Sequence, residues 1–410
     1  MNILLVYQYM FPWGGVEKHM LELADYLKDI YHQNVFILTF KIDRTLLEVL
    51  PPEGYKRASN IRLNYKDLIK YNIYAIKLPK HLRILKFLGH FMTTLVLSVI
   101  LYRTLIYLIK HKNINVIYSC EPLAILAASF ISIFNRNLRK EVKLLASIHS
   151  SWSFKSSLRR AMASKLLRRF DKVVVSTIDI TSFKRIREIT GSKCHFIPNW
   201  IDTERFSPRH HLRNEIRKLL NLCSNDIIIL YNARLVPIKN PINVLLAFKQ
   251  LKNKEIEITN GKHSFKLIVI GTGEFRHIIT SLVYKLGLEK DVFLLNPIPY
   301  FDDKYPLIYN IADIFALVPK HTGFSITALE ALASGLPVVY SCVGGVPQDI
   351  RNKIICANPD DPRDIMQKML LAYRYTRQSN ILMDIVTLIR RRYDKALVLH
   401  RLANIMMNDR

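Results

Sequence analysis

Two cations stand five positions apart in Ala233-Arg234-Leu235-Val236-Pro237-Ile238-Lys239-Asn240, directly after the apolar run Ile227–Tyr231. An arginine there can clamp phosphate oxygens through two N–H groups, and a lysine can act as a point charge. The pair suits neutralisation of a phosphorylated ligand; a solvated basic loop is the plainer alternative. Two glycine turns have a related form. Pro12-Trp13-Gly14-Gly15-Val16-Glu17 follows the run Ile3–Tyr7, and Ile270-Gly271-Thr272-Gly273-Glu274 follows another. Glycines let a backbone approach an anion, and a helix N-terminus offers oriented N–H groups. An ordinary tight βα turn is the alternative for the first. The second is not a full G-x-G-x-x-G, because position 276 is Arg276. With no Walker lysine either, a nicotinamide cofactor and ATP hydrolysis are poorly supported.

The richest stretch runs from His321 through Thr322, Gly323, Phe324, Ser325 and Ile326 to Glu330, then on to Gly335 and Pro337. A strand ends near Val318, a turn follows, and a short helix stops at Gly335. The amides of Phe324, Ser325 and Ile326 would form an anion site at that helix start. Glu330 would accept from hydroxyls, the alternative being a solvent-facing helical glutamate. His149 ends an apolar run in the front half and precedes Ser150-Ser151-Trp152. A lone histidine is commonly structural, but a strand-end position in an α/β sheet favours function.

The elements that must position these residues follow from periodicity. Short β-branched runs alternate with helical patterns, as in a parallel α/β sheet. In the front half the runs are Ile3–Tyr7, Val35–Phe40, Val116–Ser119, Leu144–His149, Val173–Ser176 and His195–Ile197. In the back half they are Ile227–Tyr231, Leu267–Ile270, Val292–Leu295, Ile314–Val318, Val338–Tyr340 and Ile354–Cys356. Val16, Met20, Leu23, Ala24 and Leu27 mark one face of the first helix. The chain of 410 residues therefore reads as two doubly wound domains joined near 200–225.

Charge and cysteines bound the partners. The formal charge is +27. Residues 1–205 hold 32 basic and 15 acidic side chains, net +17, so the front half carries most of the field. Anionic partners follow: nucleic acid, an acidic membrane face or phosphorylated small molecules. A nucleic-acid binder lacks support, since no RNA-module interleaving, recognition helix or zinc finger is evident. The five cysteines are far apart and odd in number, so reduced cytosolic thiols and no metal are expected. The N-terminus reads as a first strand, not a signal peptide. The most apolar stretch, 16 residues between Lys86 and Arg103, falls short of the ~20 needed to span a bilayer. It reads as a buried helix or as one lying on a membrane surface, flanked by Lys77, Lys80, Arg83, Lys86, Arg103, Lys110 and Lys112. A second basic cluster gathers Arg159, Arg160, Lys165, Arg168, Arg169 and Lys172 around one helix, where a solvated face is the alternative.

In this order these segments resemble the retaining GT-B glycosyltransferases of family 4, "glycosyl transferases group 1". The most specific pieces are Phe196-Ile197-Pro198-Asn199-Trp200-Ile201-Asp202-Thr203-Glu204-Arg205-Phe206-Ser207-Pro208, the Arg234…Lys239 pair, and 329–339. The resemblance implies an α/β GT-B fold, two Rossmann-like doubly wound domains facing across a cleft. The expected division is an acceptor-side domain 1–205, a donor domain 206–385 and a C-terminal helix 386–410 returning toward the first. It implies transfer of a sugar from a nucleoside-diphosphate sugar to a glycan or lipid-linked acceptor, without cofactor or metal; the basic front half adds the expectation of work at the cytoplasmic side of the cell membrane. By the same resemblance Arg234 and Lys239 neutralise the diphosphate, and Glu330 accepts from the ribose hydroxyls. Gly14 and Gly15 let backbone close on the phosphates, Gly271 and Gly323–Ile326 line the donor, and His149 lies near the donor sugar. The loop Asn296-Pro297-Ile298 borders the base.

Three departures stand out. The family carries two glutamates eight positions apart, and Thr322 occupies the first place here. Asn240 stands where Gly is usual, and Gln348 where Glu is common. The first departure leaves an alternative, a protein that binds a nucleotide sugar or glycan without turnover.

Overall fold

The computed structural model describes residues 1–9, 15–40, 72–79, 81–82, 89–149, 157–176, 180–219, 222–300, 302–320, 322–376 and 379–408. The chain forms two compact units. One comprises Met1–Pro198 with Val398–Arg410, the other Asn199–Leu397. The first crossing falls at Pro198, a few residues before the expected 205. The second falls at Leu397, so the segment from 386 is shared and not one returning helix. It is two helices, α15 (Ser379–Tyr393) and α16 (Lys395–Met407).

The first unit is built on seven strands: β1 (Asn2–Tyr9), β2 (Asn34–Phe40), β3 (Asn72–Ile76), β4 (Val116–Cys120), β5 (Lys143–Ile148), β6 (Lys172–Val175) and β7 (Cys194–Phe196). Their order is β3-β2-β1-β4-β5-β6-β7, every pairing parallel. β4 and β5 are buried at every position. Strands covered on both faces read as continuous apolar runs, which is why they stand out in the sequence. β3 does not, because it is an edge strand with exposed Asn72 and Ala75. Helix α1 (Gly15–Asp29) buries Met20, Leu23, Ala24 and Leu27, the face expected from its spacing.

Helix α2 (Gly89–Lys112) corrects one expectation. It has 24 residues, well beyond the 16-residue apolar stretch, and is long and apolar enough to cross a membrane by length and composition. Leu97, Leu101, Leu105 and Leu108 are buried, packed on the side of α3 (Glu121–Phe134). Phe91, Met92, Val99 and Tyr107 are exposed, at 61, 44, 41 and 58%. One face thus serves the core, and the other carries apolar side chains beside exposed Arg103, Lys110 and Lys112.

The second unit repeats the winding with β8 (Asp226–Asn232), β9 (Ser264–Ile270), β10 (Val292–Leu295), β11 (Ile314–Leu317), β13 (Val338–Tyr340) and β15 (Ile355–Cys356), in the order β10-β9-β8-β11-β13-β15. A separate two-residue pair joins β12 (Thr322–Gly323) to β14 (Gly344–Gly345). The strand order reverses between β8 and β11 here and between β1 and β4 in the first unit. Ligands of such sheets bind outside the strand carboxyl ends at these switch points.

Cys342 and Cys356 form a disulfide, with Cα atoms 5.3 Å apart. This overturns the expectation of reduced thiols for that pair. They lie 14 residues apart in sequence, a spacing with no motif value, but β13 and β15 are neighbours and bring them together. Cys120, Cys194 and Cys223 are free thiols.

Candidate functional site

At the second unit's switch point the chain leaves β8 through Asn232 into the Arg234–Lys239 segment. This segment is anchored by three backbone bonds from two neighbouring loops. Leu235 N–H donates to Thr272 O at 2.9 Å, Phe275 N–H to Leu235 O at 2.9 Å, and Lys320 N–H to Ile238 O at 2.9 Å. The buried Tyr231 hydroxyl supports it from below, donating to Lys239 O at 3.1 Å. Asn240 ends the segment at φ +58° and donates from Nδ2 to Val318 O at 3.0 Å and Pro359 O at 2.6 Å. That left-handed φ explains why the family prefers glycine here. Asparagine tolerates it and adds two bonds that tie the loop after β8 to those after β11 and β15.

Gly271 and Gly273 have a packing reason for lacking a side chain. A Cβ on Gly271 would fall well inside 3.0 Å of Ala233 O, and one on Gly273 would sit 2.5 Å from Leu235 O. The two turns press backbone to backbone, so these glycines position the cationic segment. Arg276, where a third glycine would stand, donates to Gly271 O at 2.8 Å and Leu295 O at 3.1 Å and closes the same turn.

The turn at 322–326 leads from β12 into α12 (Ile326–Ala333). Ser325 N–H donates to the Tyr340 hydroxyl at 3.2 Å, which itself donates to Gly323 O at 3.1 Å. One of the three amides expected to face an anion is therefore committed to Tyr340. Phe324 is buried against the Tyr340 ring, centroids 5.2 Å apart. Asn199 Nδ2 donates to Phe324 O at 3.3 Å, so the 196–208 signature reaches this turn. The same signature holds the C-terminal return. Ile201 bridges Asp394, Thr203 Oγ1 donates to Asp394 Oδ2 at 2.5 Å, and Lys395 bonds Asp202 at 2.5 Å.

Glu330 is 1% exposed. Its Oε2 accepts from the Tyr305 hydroxyl at 2.8 Å and the Tyr309 hydroxyl at 2.5 Å. A solvent-facing position is excluded. Tyr305, Tyr309 and their partner Asn232 lie in no motif the sequence offers.

In the first unit His149 follows β5. Ser147 Oγ lies 2.9 Å from its Nε2 and accepts from the Tyr118 hydroxyl at 2.7 Å. Ser147 thus anchors the Nε2 side of the ring. Burial lowers the His149 pKa from 6.5 to about 4. At neutral pH the ring is uncharged.

Comparison with known proteins now decides the family. The model for "Glycosyltransferase Family 4" matches residues 13–205, and that for "Glycosyl transferases group 1" matches 213–379. The chain belongs to the family 4, group 1 glycosyltransferases. Among curated relatives, this glycosyltransferase is 25% identical over 262 residues to the GDP-mannose-dependent alpha-(1-6)-phosphatidylinositol monomannoside mannosyltransferase of Mycobacterium tuberculosis, a match spanning 60% of this chain and 62% of that one. It is 28% identical over 200 residues to a D-inositol 3-phosphate glycosyltransferase of Mycolicibacterium vanbaalenii, 47% of this chain and 44% of the relative. Among solved structures, a Rickettsia africae glycosyltransferase aligns with TM-score 0.72 at 17% identity, covering 100% of this chain and 99% of the other. Anabaena HepE, solved with UDP and glucose, aligns with TM-score 0.70 at 18% identity, covering 98% of each chain. At such identities these likenesses show the fold, which is GT-B.

Within the glycosyltransferase, Arg234, Lys239, Gly271, the 323–326 turn and Glu330 all belong to the second unit, in segments that follow β8, β9 and β11. His149 and Gly15, the first residue of α1, belong to the first unit. Gly14, His321 and the side chain of Thr322 lie outside the described residues, as do the side chains of Arg159 and Arg160. Among the described residues no group of three or more His, Cys, Asp or Glu is placed to hold a metal ion.

The lowered His149 pKa has a measurable consequence. Between pH 6.5 and about 4 the unfolded chain binds this proton and the folded chain does not. Stability from this group is therefore complete above pH 6.5 and declines on acidification, by ~1.4 kcal/mol per pH unit at the steepest. We expect the pH dependence of the thermal midpoint to flatten across that window in His149→Asn. Parallel wild-type and variant curves would contradict the assignment.

Proposed function

We propose that this glycosyltransferase transfers a sugar, with retention of configuration, from a nucleoside-diphosphate sugar to a glycan or lipid-linked acceptor in surface polysaccharide or glycolipid synthesis. The observation that carries the reading is the doubly anchored Arg234–Lys239 segment at the switch point, joined through Lys320 to the loop that leads into the 322–326 turn. The two cations take the donor diphosphate. As the bond between the sugar and its phosphate breaks, negative charge builds on the departing diphosphate, where fixed cations stabilise it most. Glu330 accepts from the ribose, and the uncharged His149 ring hydrogen-bonds a donor-sugar hydroxyl. The acceptor hydroxyl attacks from the face the diphosphate leaves and passes it its proton, which yields retention. No cofactor is invoked. The mannosyltransferase relative supports a guanosine donor, and the HepE complex keeps uridine in view.

The reaction belongs at the cytoplasmic face of the cell membrane. The exposed face of α2, with Phe91, Met92, Val99 and Tyr107 beside Arg103, Lys110 and Lys112, fits an anionic bilayer surface. The Cys342–Cys356 disulfide is the observation that pulls against a reducing compartment.

One preparation tests these points. Nucleoside-diphosphate sugars are screened by thermal shift, where a ligand at a hundredfold excess over Kd adds about 2.7 kcal/mol. The stabilising donor is then incubated with lipid-linked acceptor in anionic vesicles, and the product anomer is read by NMR. We expect one donor to stabilise, the product to keep the donor's configuration, and the protein to sediment with the vesicles. Stabilisation by no nucleotide sugar would overturn the reading; binding without turnover would favour the non-catalytic alternative.

A further inference from the structure

Three buried polar side chains outside every sequence motif converge on Glu330. Asn232, the last residue of β8, is 7% exposed; Tyr305 is 8%, Tyr309 0% and Glu330 1% exposed. Asn232 Nδ2 donates to the Tyr305 hydroxyl at 3.2 Å and to the Tyr309 hydroxyl at 2.9 Å. An amide nitrogen can only donate, so both phenol oxygens accept from it and their protons go onward. Both protons go to Glu330 Oε2, at 2.8 and 2.5 Å. The polarity of the network is thereby set: amide to phenols to carboxylate. Such chains strengthen each member in a low-dielectric interior, and donors to an ionised carboxylate make the stronger class of hydrogen bond. Burial, and then the Glu330 charge, push both phenols well above their usual pKa, so they stay protonated donors.

The two rings are themselves held. Phe206 packs edge-on against Tyr305 and Tyr309, with centroids 5.9 and 5.7 Å apart. The Arg205 guanidinium lies 4.7 Å from the centre of the neighbouring Tyr300 ring and donates to Tyr300 O at 2.6 Å. Arg205 and Phe206 belong to the 196–208 signature, which thus buttresses the tyrosines. Asn232 lies two residues before Arg234. The carboxylate on α12 is therefore suspended from the strand end that launches the cationic segment.

We propose that Tyr305, Tyr309 and Asn232 are positioning residues for the donor nucleotide, holding the Glu330 carboxylate in the one orientation that accepts ribose hydroxyls, in register with Arg234. The proposal rests on the reading that Glu330 receives a nucleotide ribose. It extends that reading to residues that touch no ligand and assigns them the discrimination between ribose and its deoxy form.

The test compares UDP and GDP with their 2′,3′-dideoxy counterparts, by calorimetry, on wild type, Tyr305→Phe, Tyr309→Phe, the double variant and Glu330→Gln. Inorganic pyrophosphate and the thermal midpoint serve as controls. Wild type should prefer the ribose form by about tenfold or more. Each single variant should lose about threefold of that preference, and the double variant and Glu330→Gln nearly all of it, with pyrophosphate affinity unchanged. A purely structural role would weaken pyrophosphate and both nucleotide forms together and leave the ratio intact, which would overturn the proposal. The single variants, which keep both rings, retain the test if the double variant does not fold. Wild type that binds neither nucleoside diphosphate would instead sink the functional reading.

Discussion

Replacing Arg234 or Lys239 by alanine is expected to lower sugar transfer by about 10²–10³-fold each, with the thermal midpoint close to wild type. The separation of activity from stability follows from how the segment is anchored. Its conformation rests on backbone bonds from Leu235, Phe275 and Lys320, and on the Tyr231 hydroxyl beneath Lys239. Truncating a side chain leaves all of these in place. On the proposed function, what is lost is charge aimed at the diphosphate as it departs, so kcat should fall more than the donor KM rises. Arg234→Lys should recover little, since an ammonium cannot reproduce the planar two-point grip. Turnover within threefold of wild type in the alanine variants would remove the cations from the mechanism.

The second large effect concerns a residue with no side chain. Gly271→Ala should destabilise the second unit by about 3 kcal/mol, through overpacking against fixed backbone. For a unit of this size that corresponds to about 10 °C in thermal midpoint. The clash is with the Ala233 carbonyl, and Ala233 N–H is itself bonded to Ile270 O at 3.2 Å. Neither strand end can give way without carrying Arg234 with it, so donor affinity should fall together with stability. Gly287→Ala is the matched control. Gly287 has φ +62° but nothing within 4 Å of a built Cβ, so only conformational strain of about 1–2 kcal/mol is expected there. Differential scanning calorimetry of the two variants decides the point. Equal losses would mean that the approach of the two turns is not what requires glycine at 271.

The tyrosine network and the anchored segment change how the signature residues divide their labour. Asn199, Asp202 and Thr203 bind the 323–326 turn and the C-terminal return, while Arg205 and Phe206 back the aromatic rings around Glu330. A stretch that stands out in sequence only as a family signature works as a frame for the site. The Tyr118–Ser147–His149 chain does the same for one imidazole, anchoring its Nε2 side. Both arrangements place the acting group one step away from the residues that orient it.

Much of this was legible in the sequence. The parallel strands, both Rossmann-like windings, the switch-point loops and the Arg234–Lys239 pair could be read because their signals are local. A strand buried on both faces is a continuous apolar run, a helix shows its period within a dozen residues, and a turn shows its glycine. Edge strand β3 escaped because it is covered too little to need such a run. The disulfide, the left-handed Asn240, the loss of the Ser325 amide to Tyr340 and the phenol clamp on Glu330 were decided only by tertiary structure. Tyr305 and Tyr309 precede Glu330 by 25 and 21 residues and Cys342 precedes Cys356 by 14. Their meetings depend on which strands are neighbours and where each loop leaves the sheet. Contacts of that kind are set by sheet order and register, to which residue type and short-range spacing carry no signal.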